Sequence, residues 1–214
     1  MGLGEKKSVL ISIRPKWCEL IASGKKTIEV RKTRPKIETP FKCYIYCTAS
    51  STNLPDTLFK DEYGIDICHA DDYNAMRQRP MLKKLNKKII GEFVCDIVYH
   101  TVLRATDDAE DITRYFLLGI KEIIPKFLEG CCLEKEEIAE YIPPGKSVFG
   151  WHISDLKIYD KPRELKEFIK PCPYDGNCQP CEFYSDFGGI CTNILTRPPQ
   201  SWFYVEENSD AEIH

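Results

Sequence analysis

The amino-acid sequence predicts an α+β fold rich in strands: a mixed β-barrel with peripheral helices and a C-terminal cysteine-rich extension. Short runs of β-branched and aromatic residues recur from Val9 to Val205, without the strand–helix–strand rhythm of a parallel sheet. Helical periodicity is confined to the connections, and Cys172, Cys178, Cys181 and Cys191 crowd one late segment. With 214 residues the chain is long enough to bury a core without covalent staples. Residues 8–160 are expected to form the barrel, with an excursion at about 51–88. Residues 161–214 are expected to add a helix, the cysteine segment and a closing strand packed on the same domain.

Each element has its own signal. Val9 to Ile13 reads as a strand that turns at Arg14-Pro15. Proline suits the first helical turn, and Trp17, Leu20 and Ile21 recur at helical spacing until Gly24 stops the helix. In TIEVR, Ile28 and Val30 fall on one face and Thr27, Glu29 and Arg31 on the other, the pattern of a half-buried strand. The stretch from Phe41 is a strand whose aromatic and thiol side chains suit a core. From Ser51 to Lys88 the pattern weakens to polar turns and a short helix through Met81 to Lys87.

The run from Ile89 to Leu103 alternates near period two and predicts one long strand. Helices follow at 111–120, opened by Asp111, and at 133–142, ended by Pro143-Pro144-Gly145. Lys146 to Tyr159 returns to strand, with Gly150 marking a bulge. Lys161 to Lys170 predicts a short amphipathic helix, and Ser201 to Glu207 a final strand.

A formal net charge of -3 conceals a separation of signs. From Arg14 to Lys42 there are nine basic residues and three acidic ones, and Arg77 to Lys88 adds six bases and no acid. Acid dominates from Asp107 to Glu140. A fold that joins the two basic segments presents a positive face to a polyanion. No apolar run approaches the length of a membrane helix, so no membrane association is expected. Eleven cysteines, an odd number without a secretory leader, argue for a reducing, cytoplasmic setting.

Four thiols within one short segment can hold one soft metal. Cys178 and Cys181 form a C-x2-C knuckle, Cys172 precedes it, and Gly188-Gly189 lets the chain turn before Cys191. Structural tetrahedral zinc is the first expectation, since four thiolates leave no open position for catalysis. An iron–sulfur cluster takes the same ligands, and unconnected loop thiols are the remaining alternative. The other cysteines read as small core residues.

Gly24, Lys26, Glu29 and Arg31 form a charged constellation just beyond a glycine turn. Arg31 and Lys26 can orient a phosphate, with Glu29 tying Arg31 down or accepting from a base edge. The same groups can supply acid–base chemistry if burial shifts their titration, and a solvated ion pair is the plain alternative. Trp151 and His152 fall on opposite faces of a strand, so one of them is core.

The stretch from Ile11 to Lys32 resembles the opening of ASCH domains, small β-barrels of the PUA-like superfamily. Their signature G-x-K-x-x-E-x-R falls here on Gly24, Lys26, Glu29 and Arg31. The strands around Gly91-Glu92-Phe93 and Gly150-Trp151-His152 also look like parts of that family, and the resemblance covers roughly Val9 to Tyr159.

It implies a cleft facing RNA or nucleotides in a protein often encoded by bacteria or their phages. It also implies hydrolysis of acetylated cytidine in some relatives and nuclease activity in others. The hydrolase lysine carries over to Lys26, but its threonine position holds Glu29 here, and Glu92 is the available carboxylate.

The leading expectation is therefore RNA, nucleotide or nucleoside binding in a basic cleft, through Arg14, Lys16, Lys26, Glu29 and Arg31, with Trp151 stacking on a base. The alternatives are a hydrolase of a modified nucleoside (amidohydrolase type) or RNA using Lys26, Glu29 and Glu92, or a module that binds a protein partner.

Overall fold

The computed structural model describes residues 7–48, 87–102, 124–142, 145–172, 184–185, 190–191 and 193–207. Most of the expected excursion, including its basic segment up to 86, and the helix expected at 111–120 lie outside these residues.

The elements are β1 (Ser8–Ile13), α1 (Pro15–Ala22), β2 (Ile28–Arg31), β3 (Phe41–Cys47), β4 (Lys88–Cys95) and β5 (Val98–Val102). After them come α2 (Ile124–Cys131), α3 (Lys135–Tyr141), β6 (Ser147–His152), β7 (Ser154–Arg163), β8 (Phe168–Ile169), β9 (Tyr184–Ser185), β10 (Ile190–Cys191) and β11 (Trp202–Glu207). The chain divides into two compact units, one of Met1–Cys18, Cys43–Glu92 and Lys157–His214, the other of Glu19–Lys42 and Phe93–Leu156.

The first unit is built on a sheet ordered β7-β4-β3-β1-β11-β8. β1 is internal because VLISI is apolar on both faces, and Val9, Leu10, Ile11 and Ile13 are all buried. It runs parallel to β3, with Val9 opposite Cys43, and antiparallel to β11, with Val9 opposite Tyr204. Ser12, the polar residue of the run, is satisfied by donating to the Pro199 carbonyl at 2.7 Å. Leu10, Tyr44, Phe168 and Val205 centre the core, and Tyr44 meets Phe168 edge-on at 4.7 Å. Burying side chains of this size contributes about 1.5–3 kcal/mol each.

The second unit carries the sheet β2-β6-β5. One face is apolar: Ile28, Val30 and Val148 pack with Phe127 and Cys131 of α2 and with Ile138 and Ile142. Gly150 makes that packing possible, since a Cβ there would stand 2.4 Å from the Phe127 ring. α3 starts with a capping box, Glu134 N–H donating to Glu137 Oε2 at 2.9 Å.

Several expectations are corrected. Among the described residues the strands form open sheets, and none closes into a barrel. The six-stranded sheet ends on two-residue β8 at one edge and ten-residue β7 at the other, a mismatch that offers no ladder for closure. Among the described residues no separate cysteine-rich module stands at the C-terminal end, because β8 and β11 are strands of the main sheet.

The long strand expected from Ile89 is two, broken at Asp96-Ile97, and its halves join different sheets. Likewise the strand from Lys146 divides at Ile153 into β6 and β7. Gly150 is no bulge: it pairs in regular register with Val30 and Tyr99. The helix expected at 161–170 is instead the end of β7, a 3-10 turn at Leu165–Glu167, and β8. Pro162 is tolerated there because β7 is an edge strand.

Candidate functional site

Gly24, at φ 74°, ends α1 with a left-handed turn that glycine adopts without strain. The next residues are strapped down by backbone bonds: Lys26 N–H to Leu20 O at 2.9 Å, and Thr27 N–H to Gly130 O at 2.8 Å. This route carries the lysine side chain inward. Lys26 Nζ donates to the Cys131 carbonyl at 2.6 Å, where the C-terminal end of α2 concentrates partial negative charge.

Glu29 lies between two cations. Its Oε2 is 3.6 Å from Lys26 Nζ, and its Oε1 is 2.9 Å from a terminal nitrogen of Arg31. Lys26, Glu29 and Arg31 are only 2%, 5% and 8% exposed. The expected half-buried strand is therefore buried on both faces. Ions this deep persist because they are paired and hydrogen-bonded, and removing one partner from such a cluster costs about 3–5 kcal/mol. Burial pushes the neighbouring Cys131 thiol up to about 11, against the pull of the Lys26 ammonium.

Strand register extends the charged face. Glu29 opposes Trp151, which opposes Val98; Arg31 opposes Phe149, which opposes His100. Trp151 is fully buried and meets Phe41 edge-on at 5.8 Å, so its ring is core rather than an open stacking surface. The His100 and Phe149 rings stack at 4.6 Å. On the other face, half-exposed His152 Nδ1 lies 2.6 Å from Asp96 Oδ1. Although burial opposes it slightly, the bond from His152 holds the Asp96 carboxyl below its usual range.

The remaining expected residues belong to the first unit. Arg14 and Lys16 are exposed, and Lys16 Nζ lies over the Trp17 ring at 4.6 Å. Glu92 accepts from the Tyr159 hydroxyl at 2.6 Å. The structure thus brings Lys26, Glu29 and Arg31 into one cluster.

The zinc expectation is corrected. Among the described residues no group of three or more His, Cys, Asp or Glu side chains could hold a metal ion. Cys172 is a partly exposed free thiol. Cys178 and Cys181, and the side chain of Cys191, lie outside the described residues. Cys18, Cys43, Cys47, Cys95 and Cys131 are buried core thiols, as their sequence settings suggest.

Sequence reasoning missed the His100–Phe149 pair and the His152–Asp96 pair, whose members lie 49 and 56 residues apart. The only available signal was period-two alternation in both strands, and alternation assigns faces without assigning neighbours.

The sequence model of the ASCH domain matches residues 11–53, a span that includes the whole of Gly24 to Arg31. Those 43 residues are what the chain shares with the ASCH domain. No curated protein matches the sequence. A serine-to-alanine variant of ZmASCH from Zymomonas mobilis, known as a crystal structure, is 14% identical, with a TM-score of 0.51 over 98% of this chain and 95% of that chain. At this identity the likeness speaks for the fold. The crystal structure of ASCH from Zymomonas mobilis gives a TM-score of 0.49 at 15% identity, covering 98% of this chain and 94% of that one. Within the matched segment Lys26, Glu29 and Arg31 are enclosed by protein while Gly24 is exposed, and the exposed cations beside them are Lys25, Lys32, Arg34 and Lys36. Among the described residues no helix is long and apolar enough to cross a membrane.

Proposed function

We propose that this ASCH-like domain binds RNA or a nucleotide, with Arg31 as the oriented cation and Lys25, Lys32, Arg34 and Lys36 as the surrounding phosphate contacts. The observation that carries this reading is Glu29 held between Lys26 and Arg31. The three side chains sum to one positive charge, and the carboxylate fixes the guanidinium plane before any ligand arrives. The ASCH match supports a role associated with RNA or nucleotides. Lys26 and Glu29 serve as the scaffold.

Binding is favoured over hydrolysis because Lys26 Nζ is already engaged with a carbonyl and a carboxylate, a poor state for a general base. The test is fluorescence anisotropy with labelled single-stranded RNA across a salt series. Saturable binding that weakens with salt, and is lost on reversing the charges of Lys32 and Arg34, is the expected result. Absence of RNA and nucleotide binding, or binding indifferent to those charges, would sink the reading.

A further inference from the structure

One rung of the second unit's sheet carries Arg31 on β2, Phe149 on β6 and His100 on β5. Directly opposed residues share a face, so the three side chains stand in a row. The inner end is the guanidinium tied to Glu29 at 2.9 Å. Phe149 is half-buried in the middle, and His100 is exposed on the edge strand. Its ring is parallel to Phe149 within 6°, with centroids 4.6 Å apart, and Ser147 Oγ lies 3.1 Å from its Nε2. An exposed imidazole backed by a second ring and held by a hydrogen bond is a preformed surface for a third flat ring.

Resting on the RNA-binding reading, we infer that His100, backed by Phe149, is a stacking platform for one nucleobase of single-stranded RNA. Three observations select this occupant. A single exposed ring at a sheet edge receives a splayed base, whereas bases in a duplex already stack on each other. The row ends in a cation, and Lys32, Arg34 and Lys36, all exposed, follow Arg31 in the chain, so an aromatic ligand carrying phosphate fits the charge. Ser147 Oγ fixes one edge of the imidazole and leaves its plane to the ligand. An uncharged aromatic partner would make no use of these cations.

The experiment uses the full chain and a single-stranded oligoadenylate octamer containing 2-aminopurine, whose emission is quenched on stacking. Wild-type protein is expected to bind and quench. His100→Ala is expected to weaken affinity about tenfold and restore emission, while His100→Phe keeps both. Circular dichroism of each variant accompanies the titration, and the phenylalanine variant separates loss of stacking from loss of fold. Binding and quenching unchanged in a folded His100→Ala protein overturn the platform and leave the RNA-binding reading standing. Failure of the wild-type protein to bind any RNA overturns both, and equal affinity for the octamer paired with its complement overturns the single-strand assignment.

Discussion

Lys26 Nζ and the carbonyl of Cys131, 105 positions apart in sequence, meet at 2.6 Å inside the second unit. The contact turns a signature lysine into a structural tie between the loop before β2 and the end of α2. It also explains why a motif that reads as a surface constellation is enclosed.

Lys26→Ala is therefore expected to lower stability by about 3–5 kcal/mol, because it leaves Glu29 short of one cation and a helix-end carbonyl short of a donor. Urea unfolding midpoints measure it, and a loss under about 1 kcal/mol would contradict the structural role.

Gly150→Ala brings a methyl group to within 2.4 Å of the Phe127 ring and 2.9 Å of Ile28 Cγ2. The expected cost is about 1–3 kcal/mol from forced repacking of α2 on the sheet. Thermal unfolding checks it, and an unchanged midpoint would mean the helix shifts freely.

Alkali should destabilise the protein. Burial pushes the thiols of Cys131 up to about 11 and Cys95 up to about 12 from 9.0. Burial, aided by the hydrogen bonds to Glu207 and Glu92, likewise raises Tyr44 and Tyr159 above 10.0. In each case the folded state holds its proton longer than the unfolded chain, so stability is full below the unfolded value and falls as pH rises toward the folded one. Unfolding free energies should decline from about pH 9 upward. A flat profile from pH 8 to 11 would refute the assignment.

Acid acts on Asp96, whose folded carboxyl titrates below its usual range. Its contribution is present above the unfolded value and lost as pH falls through the folded one. Both partners are substantially exposed, at 32% for His152 and 40% for Asp96, so Asp96→Asn should cost less than about 1 kcal/mol. Equilibrium unfolding of the variant at neutral pH measures this, and a loss of several kcal/mol would assign the pair a larger role.

Much of the local structure was legible. The apolar run at Val9, the glycine stop at Gly24 and the late strand at Trp202 each carry a short-range signal, and each element forms where that signal stands. Long-range features were not legible. Nothing within Ile89 to Leu103 says that its halves part to different sheets, because period-two alternation continues through the break. Lys161 to Lys170 has helical spacing, yet its residues pair as strands on either side of a 3-10 turn, with tertiary pairing overriding a weak propensity.

For the candidate site, spacing identified Lys26, Glu29 and Arg31 as a group, and the structure brings them together. Their burial was hidden, since the alternation of TIEVR assigns the charges to one face without showing what covers it.

The pairing of β1 with β11 sets Ser8 opposite Val205. During synthesis the early strand can find β3 as soon as Cys47 has left the ribosome, but its opposite edge waits for residues beyond Trp202. The nascent chain must carry a bare apolar edge from the synthesis of Cys47 until β11 has been made. Contacts so distant in sequence also form slowly once available. Aggregation during expression should therefore be governed by how long that edge stays open, and chaperone capture should fall once β11 has been made.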